Sequence, residues 1–405
     1  MHILFLTDNF PPEGNAPASR TYEHAKEWVS QGEKVSIITC APNFPDGVIF
    51  PGYKNRWLVR ERIDGINVWR VKTFITQNNG FLKRILDYMS FMFSSFIFGL
   101  FTKKVDIVIG TSPQFFTTIS AWAIAKIKRV PFVFELRDIW PASISAVGAM
   151  QNNFIISLLE QIELFLYHQA HLIISVTSSF KEDLIHRGVS KEKIKVVFNG
   201  VDLQSYKPKN KKNDSFVKKY DLKNKFVIGY IGTHGLAHAL DKVIETAELL
   251  KYEKNIHFVF AGSGAEKNRL ITMTHKKNLS NVTFIPRQDK KNMKNLWSIC
   301  DVSLISLKNT KLFSTVIPSK IFESMAMGLP IIISAPKGEA TSIIEQNKCG
   351  LIVKPESPIN LVNSINSLYI STIDYDIFKL NSLKTAKKYE RRNLAIRMLK
   401  IIKNI

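Results

Sequence analysis

The run Pro318-Ser-Lys-Ile-Phe-Glu-Ser-Met-Ala-Met-Gly-Leu-Pro-Ile-Ile-Ile-Ser334 gathers a hydroxyl, a cation and a carboxylate at the start of one helix. Pro318 suits a first turn, Gly328 a left-handed cap, and Pro330 blocks continuation into the strand that follows. Ser319 and Glu323 are four residues apart and share a face near the helix's positive end. Lys320 and the free amides there can meet an anion, while Glu323 can accept two hydrogen bonds from a diol. A ligand with both phosphates and sugar hydroxyls satisfies this set, so the run predicts a nucleotide-sugar site.

Other loops offer complementary chemistry. Gly232 and Gly235 flank Thr233 and His234 between a strand and a helix, a turn able to present amides and a hydroxyl to phosphate. Arg287, after a strand ending at Ile285, is a candidate diphosphate clamp. Glu339, after Pro336-Lys-Gly338, is either a first-turn carboxylate complementing the helix dipole or a ligand residue. Near the start of the chain, Gly14 and Asn15 permit close backbone approach, and Arg20 follows at the start of a helix. Phe134-Glu-Leu-Arg-Asp-Ile-Trp-Pro141 places Glu135, Arg137 and Asp138 where an apolar strand ends. That segment reads as a salt bridge beside an indole or as a catalytic group. No Asp-x-Asp pair sits where a metal-held diphosphate needs it. The expectation is a metal-independent reaction without a cofactor, in which cationic side chains and helix dipoles do the metal's work.

Short β-branched runs alternate with helical stretches and must position these loops. Strands are expected at Ile3–Leu6, Lys34–Thr39, Ile66–Val71, Asp106–Gly110, Pro131–Glu135, His171–Ser175 and Lys195–Phe198, with helices such as Ser19–Ser30, Phe115–Lys128 and 152–168 between them. A second series runs Phe226–Ile231, His257–Ala261, Val282–Ile285, Val302–Ile305, Ile331–Ser334 and Gly350–Val353. The alternation predicts an α/β chain of two doubly wound, Rossmann-like domains, with ligands beyond the carboxyl ends of the strands. Residues 1–203 form the first domain and 225–380 the second. A lysine- and asparagine-rich linker spans 204–224, and a single basic amphipathic helix, 381–405, crosses back to the first domain.

The 405 residues suffice for two cores, with 45% hydrophobic content. Three cysteines without metal or redox spacing favour free thiols in a reducing compartment. The N-terminus reads as a strand, so the expected location is cytoplasmic. A net charge of +22 fits anionic membrane, phosphorylated substrates or nucleic acid. Nucleic acid is set aside because no helix-turn-helix, zinc-finger or RNP signature occurs.

The loops together resemble the GT-B glycosyltransferases of family 4, which are retaining enzymes. The most specific parts are Phe198-Asn-Gly-Val-Asp202 and Lys320-Ile-Phe-Glu-Ser-Met-Ala-Met-Gly-Leu-Pro330. Within the family the chain looks most like bacterial enzymes of O-antigen, capsule and colanic-acid assembly, including L-fucosamine transferases. The resemblance implies a donor held by the second domain, an acceptor held by the first, and a central cleft that closes between them. Glu323 matches the second glutamate of the family's Glu-x7-Glu motif, which binds the ribose diol; the first falls on Thr315. The Arg and Lys usual after the glycine turn are absent, so Arg287 and Lys320 are expected to neutralise the leaving diphosphate, with Thr233, His234 and Ser319 adding hydrogen bonds. Asp138 is the candidate for orienting the acceptor hydroxyl, with Arg137 steering phosphate.

Residues 80–104 hold an apolar block flanked by Lys83, Arg84, Lys103 and Lys104, too short to span a bilayer. It reads equally as a buried core helix or as one lying in the membrane interface. The expected partners are a nucleotide sugar, most simply a UDP-sugar such as UDP-N-acetyl-L-fucosamine, an undecaprenyl-diphosphate-linked saccharide and the anionic inner-membrane surface. The rival readings are a UDP-sugar 2-epimerase on the same architecture and a non-enzymatic basic scaffold.

Overall fold

The computed structural model describes residues 1–76, 81–140, 153–209 and 211–405. Gly80, Pro141 and Asn152, named above, lie outside them. The chain divides into two compact units, one of residues 1–199 with 391–405, the other of residues 200–390. The stretch read as a linker therefore belongs to the second unit, and it carries a short helix, Asp214–Lys219, capped by the Asn213 side chain.

The first unit is built on an eight-stranded sheet. Its strands are β1 (His2–Leu6), β2 (Lys34–Cys40), β3 (Leu58–Ile63), β4 (Ile66–Val71), β5 (Ile107–Thr111), β6 (Phe132–Leu136), β7 (Leu172–Ser175) and β8 (Ile194–Val196). The order is β3-β4-β2-β1-β5-β6-β7-β8, and every pairing is parallel except β3 with β4. Strand β3 was not expected. Its turn residues Asp64 and Gly65 both take positive φ, the geometry an Asp-Gly hairpin requires, so the signal was present in the sequence. β1 is buried along its whole length, as a central parallel strand must be.

The second unit has six parallel strands: β9 (Phe226–Ile231), β10 (Ile256–Ala261), β11 (Val282–Ile285), β12 (Val302–Ser306), β13 (Ile331–Ser334) and β14 (Gly350–Val353), in the order β11-β10-β9-β12-β13-β14. The reversal of direction at β9 creates a switch point between β9 and β12, where ligands of such sheets bind.

The end of the chain departs from the single helix expected over 381–405. One helix, Thr372–Ala386, stays in the second unit; the turn Lys387–Tyr389 intervenes, and a separate helix, Arg391–Ile402, belongs to the first. Leu394, Met398, Leu399 and Ile402 of the latter enter the first unit's core beside Trp28, whose indole donates to the Ala395 carbonyl at 2.9 Å. The first helix begins at Ala16, three residues earlier than expected, because Asn15 caps it and Pro17 fits its first turn.

Candidate functional site

In the second unit the loops after β9 and β10 interlock. His234 N–H donates to the Ser263 carbonyl at 2.8 Å, and the His234 carbonyl accepts from Glu266 N–H at 2.9 Å. The approach is so close that a Cβ on Gly262 would stand 2.0 Å from the Gly232 carbonyl oxygen. Gly262 also holds φ at +144°, so glycine is required there.

Lys320 lies against this pair of turns. It is the first residue of the helix Lys320–Ala326, its side chain only 9% exposed, and its Nζ stands 3.8 Å from the centroid of the Tyr230 ring. A Cβ on Gly232 would be 2.9 Å from that Nζ, so the glycine makes room for the ammonium. The Nζ has no hydrogen-bond partner. Burial lowers its pKa to about 7, with Glu323 opposing the fall. A cation kept dry without an acceptor is poised for an anionic ligand.

Glu323 is one helical turn along. Its Oε2 accepts a hydrogen bond from the Trp297 indole at 3.2 Å, and that indole is fully buried, which fixes the carboxylate's direction. The helix closes as expected: Gly328 takes φ +66°, Leu329 N–H reaches the Ser324 carbonyl at 3.0 Å, and Gly328 N–H reaches Met325 at 3.0 Å. Ser319 is half-buried at the helix start and its side chain makes no capping bond.

His234 does not offer the expected side chain. Its ring is wholly buried against Tyr230, Phe260 and Phe284, with both nitrogens unpartnered. Burial first, then Lys267 and Lys320, push its pKa down to about 4, so it is a neutral packing residue whose contribution is the backbone of the turn. Thr233 is exposed at the tip. Arg287 is exposed after β11, the edge strand, which β10 separates from β9. Lys267 escaped the sequence reading: its Nζ donates to the Gly262 carbonyl at 2.8 Å, and the Gly-Ser-Gly turn five residues before it was the available signal.

Thr315, at the position of the family's first glutamate, donates its hydroxyl to the Leu312 carbonyl at 2.7 Å. Backbone packing brings the Gly338 turn close to the residue before Thr315. A Cβ on Gly338 would lie 1.9 Å from the Ser314 carbonyl oxygen, and Glu339 is the next residue, first in its helix.

In the first unit, Glu135 and Arg20 form a fully buried ion pair at 2.8 Å. Arg20 also donates to the carbonyls of Phe198 at 2.6 Å and Val197 at 3.1 Å, anchoring the start of the Asn199–Asp202 segment. Burial pushes the Glu135 carboxyl up, but Arg20 and Arg137 together hold it below its ordinary value. This pair is structural. Arg137 keeps Nε and Nη1 buried without hydrogen-bond partners, and burial lowers its pKa to about 10. The Ser112 hydroxyl accepts from the backbone N–H of Arg137 at 2.8 Å and of Asp138 at 3.2 Å, fixing the loop that presents both. Trp140 stacks on Phe115 at 5.1 Å.

Asn15 is committed as a helix cap, accepting from Ala18 N–H at 3.0 Å and donating to Asn9, and Gly14 is exposed without positive φ. The neighbour that matters electrostatically is Glu13, which accepts from the backbone N–H of Asn43 and of Phe44, each at 2.8 Å. Burial raises it to about 7. Asp87 is raised to about 7 by burial and by Asp8, which burial also raises. Asp87 comes from a distant helix, so no local pattern announced this acidic group. Among the described residues no cluster of metal-ligating side chains occurs.

The helix Phe81–Leu100 is buried on one side and exposes apolar residues on another. Phe91 and Ser95 are buried, while Leu86, Phe93 and Ile97 are half exposed, with Phe101 beyond them at 66%. Lys83, Arg84, Lys103 and Lys104 are exposed at the ends. The helix Asn153–Gln169 adds exposed Phe154, Leu158 and Phe165, and both helices pack on Phe115–Lys128. No described helix is long and apolar enough to cross a membrane.

Residues 18–205 match the family described as Glycosyltransferase Family 4, and residues 210–385 match Glycosyl transferases group 1. The chain is 27% identical over 375 residues to the colanic acid biosynthesis glycosyl transferase WcaI of Escherichia coli, covering 90% of this chain and 91% of that one. It is 26% identical to the teichuronic acid biosynthesis glycosyltransferase TuaH of Bacillus subtilis, over 49% of each. Among solved structures, HepE of Anabaena in complex with UDP and glucose superposes with a TM-score of 0.74 at 16% identity, over the full length of both chains. WaaG, a glycosyltransferase involved in lipopolysaccharide biosynthesis, gives 0.70 at 14%, over 99% of each.

Proposed function

We propose that this chain, which belongs to the GT-B glycosyltransferases of family 4, moves a sugar with retention from a UDP-sugar to a lipid-linked saccharide in surface-polysaccharide assembly. The observation that carries the donor half is the dry, unpartnered Lys320 ammonium beside the Gly232 turn, one helical turn from the Trp297-held Glu323.

Glu323 accepts the ribose hydroxyls, and Lys320 neutralises the diphosphate as it leaves. The amides of the Gly232–Gly235 turn and Ser319 add hydrogen bonds, and Arg287 reaches in from the sheet edge. Glu339 supplies the carboxylate that Thr315 lacks, directed at the donor hexose; the packing of the preceding Gly338 against Ser314 supports this reading. On the acceptor side, Asp138 orients the attacking hydroxyl and Arg137 steers the acceptor phosphate. A diphosphate oxygen takes the acceptor proton on the face from which the leaving group departs, so the anomeric configuration is kept. An acceptor such as an undecaprenyl-diphosphate-linked saccharide keeps its lipid in the bilayer. The exposed apolar residues of Phe81–Leu100 and Asn153–Gln169, with the cations at the ends of the first, support docking on the anionic inner face of the cytoplasmic membrane. O-antigen or capsule synthesis, with UDP-N-acetyl-L-fucosamine as donor, is the specific form of this proposal.

The test is a thermal-shift panel of UDP-, GDP- and dTDP-sugars on the wild type and on Lys320→Ala, followed by transfer assays with the donor that stabilises. UDP-sugars should raise the melting temperature of the wild type alone. Stabilisation of both proteins alike removes Lys320 from the site, and stabilisation by GDP- or dTDP-sugars only removes UDP.

A further inference from the structure

The helix Thr372–Ala386 of the second unit is apolar on two opposite sides, and only one is covered. Inward, Tyr375 donates to the Asp301 carbonyl at 3.0 Å, Phe378 packs on the core, and Ser382 donates to the Leu329 carbonyl at 2.9 Å. Outward, Ile373, Ile377 and Leu380 recur at i, i+4 and i+7 and are 74%, 44% and 68% exposed. Ile370, the last residue of the preceding helix, is 78% exposed. A contiguous stripe of exposed aliphatic side chains marks an interaction surface.

The charges along this helix are segregated. Asp374 and Asp376 occupy its first half and Lys379 and Lys384 its second, all exposed. We propose that this face is a two-fold interface with a second copy of this chain, the two helices running antiparallel about Ile377. Ile377 then meets its own copy, and Ile373 lies opposite Leu380 of the second copy. Asp376 and Lys379, 4.0 Å apart within one helix, come onto the same flank as Lys379 and Asp376 of the second copy, so acidic half faces basic half. A parallel pairing would set like charges together. An anionic lipid surface is the poorer occupant, because Asp374 and Asp376 border the stripe. The interface stands independently of the proposed reaction.

Sedimentation velocity over a concentration series tests it. The wild type should run at twice the chain's mass and Ile377→Glu as a single chain, since the two-fold would place two glutamates together. Thermal melting of Ile377→Glu should show one folded transition, because the side chain is half exposed. Asp376→Lys should weaken the dimer, and Asp376→Lys with Lys379→Asp should restore it. Ile377→Cys should form a disulfide-linked dimer on mild oxidation, while the natural Cys40, Cys300 and Cys349 are buried. A wild type that is a single chain at every concentration overturns the proposal, as does a dimer that survives Ile377→Glu. Failure of the double exchange to restore the dimer overturns the antiparallel register. Loss of binding to anionic vesicles in Ile377→Glu, with no change in mass, gives the stripe to lipid instead.

Discussion

Lys320→Met should make the unliganded protein more stable while abolishing nucleotide binding. Burial takes the Lys320 ammonium from 10.5 to about 7. The unfolded chain holds that proton across the whole interval and the folded chain releases it at the bottom, so stability rises with pH between about 7 and 10.5 and is level below. At neutral pH the penalty on the folded state is roughly 4 kcal/mol, at about 1.4 kcal/mol for each tenfold change in the proton equilibrium. Methionine keeps most of the aliphatic stem over Tyr230 and carries no charge, so the variant should recover up to that amount near pH 7 and little near pH 10.5. Urea unfolding of both proteins across the interval measures this directly. A bound diphosphate restores the ammonium, so the wild type should take up a proton on binding UDP near about pH 8, read by calorimetry in buffers of different ionisation enthalpy. Equal stability of the two proteins at neutral pH, or identical pH slopes, would refute the assignment of Lys320 as a dry cation held for an anion.

The other expectations concern the groups that brace the candidate site. Arg20→Met removes the partner of a fully buried carboxylate, so it should destabilise the protein by about 3–5 kcal/mol in chemical denaturation; a loss under 1 kcal/mol would sink the structural assignment of the pair. Glu13, raised from 4.5 to about 7, contributes stability that is complete below pH 4.5 and is lost as pH rises through about 7. Glu13→Gln should flatten that dependence, by up to roughly 3 kcal/mol, in denaturation curves across the same range. Trp297→Phe preserves most of the packing but removes the 3.2 Å bond to Glu323. It should weaken UDP binding roughly fivefold, the scale of about 1 kcal/mol for one hydrogen bond, and unchanged affinity would show that the indole does not orient the carboxylate.

Periodicity and punctuation revealed most of the fold, because parallel strands buried on both faces write themselves as short β-branched runs. Pro318, Gly328 and Pro330 marked their helix for the same reason: each acts on the backbone within its own turn. What stayed hidden depends on distance in the chain. Trp297 holds Glu323, Gly338 packs against Ser314, and Lys320 presses on Gly232 from 88 residues away. Side-chain direction was also illegible, which is why His234 looked like a ligand although its ring turns into an aromatic pocket. Asn15 caps its helix, and a helix cap and a phosphate loop use the same residue types. The break at Lys387–Tyr389 was missed because charge and apolar spacing run through it without interruption.

The return of Arg391–Ile402 to the first unit sets an order of events during synthesis. The N-terminal sheet leaves the ribosome first, yet the helix that accepts the Trp28 indole bond is made only after all of residues 200–390. Until then the apolar surface of Ala25 and Trp28 lacks the partners supplied by Leu394, Met398 and Leu399. The first unit made is therefore the last to be sealed, and its nascent form is the one that most needs protection from aggregation.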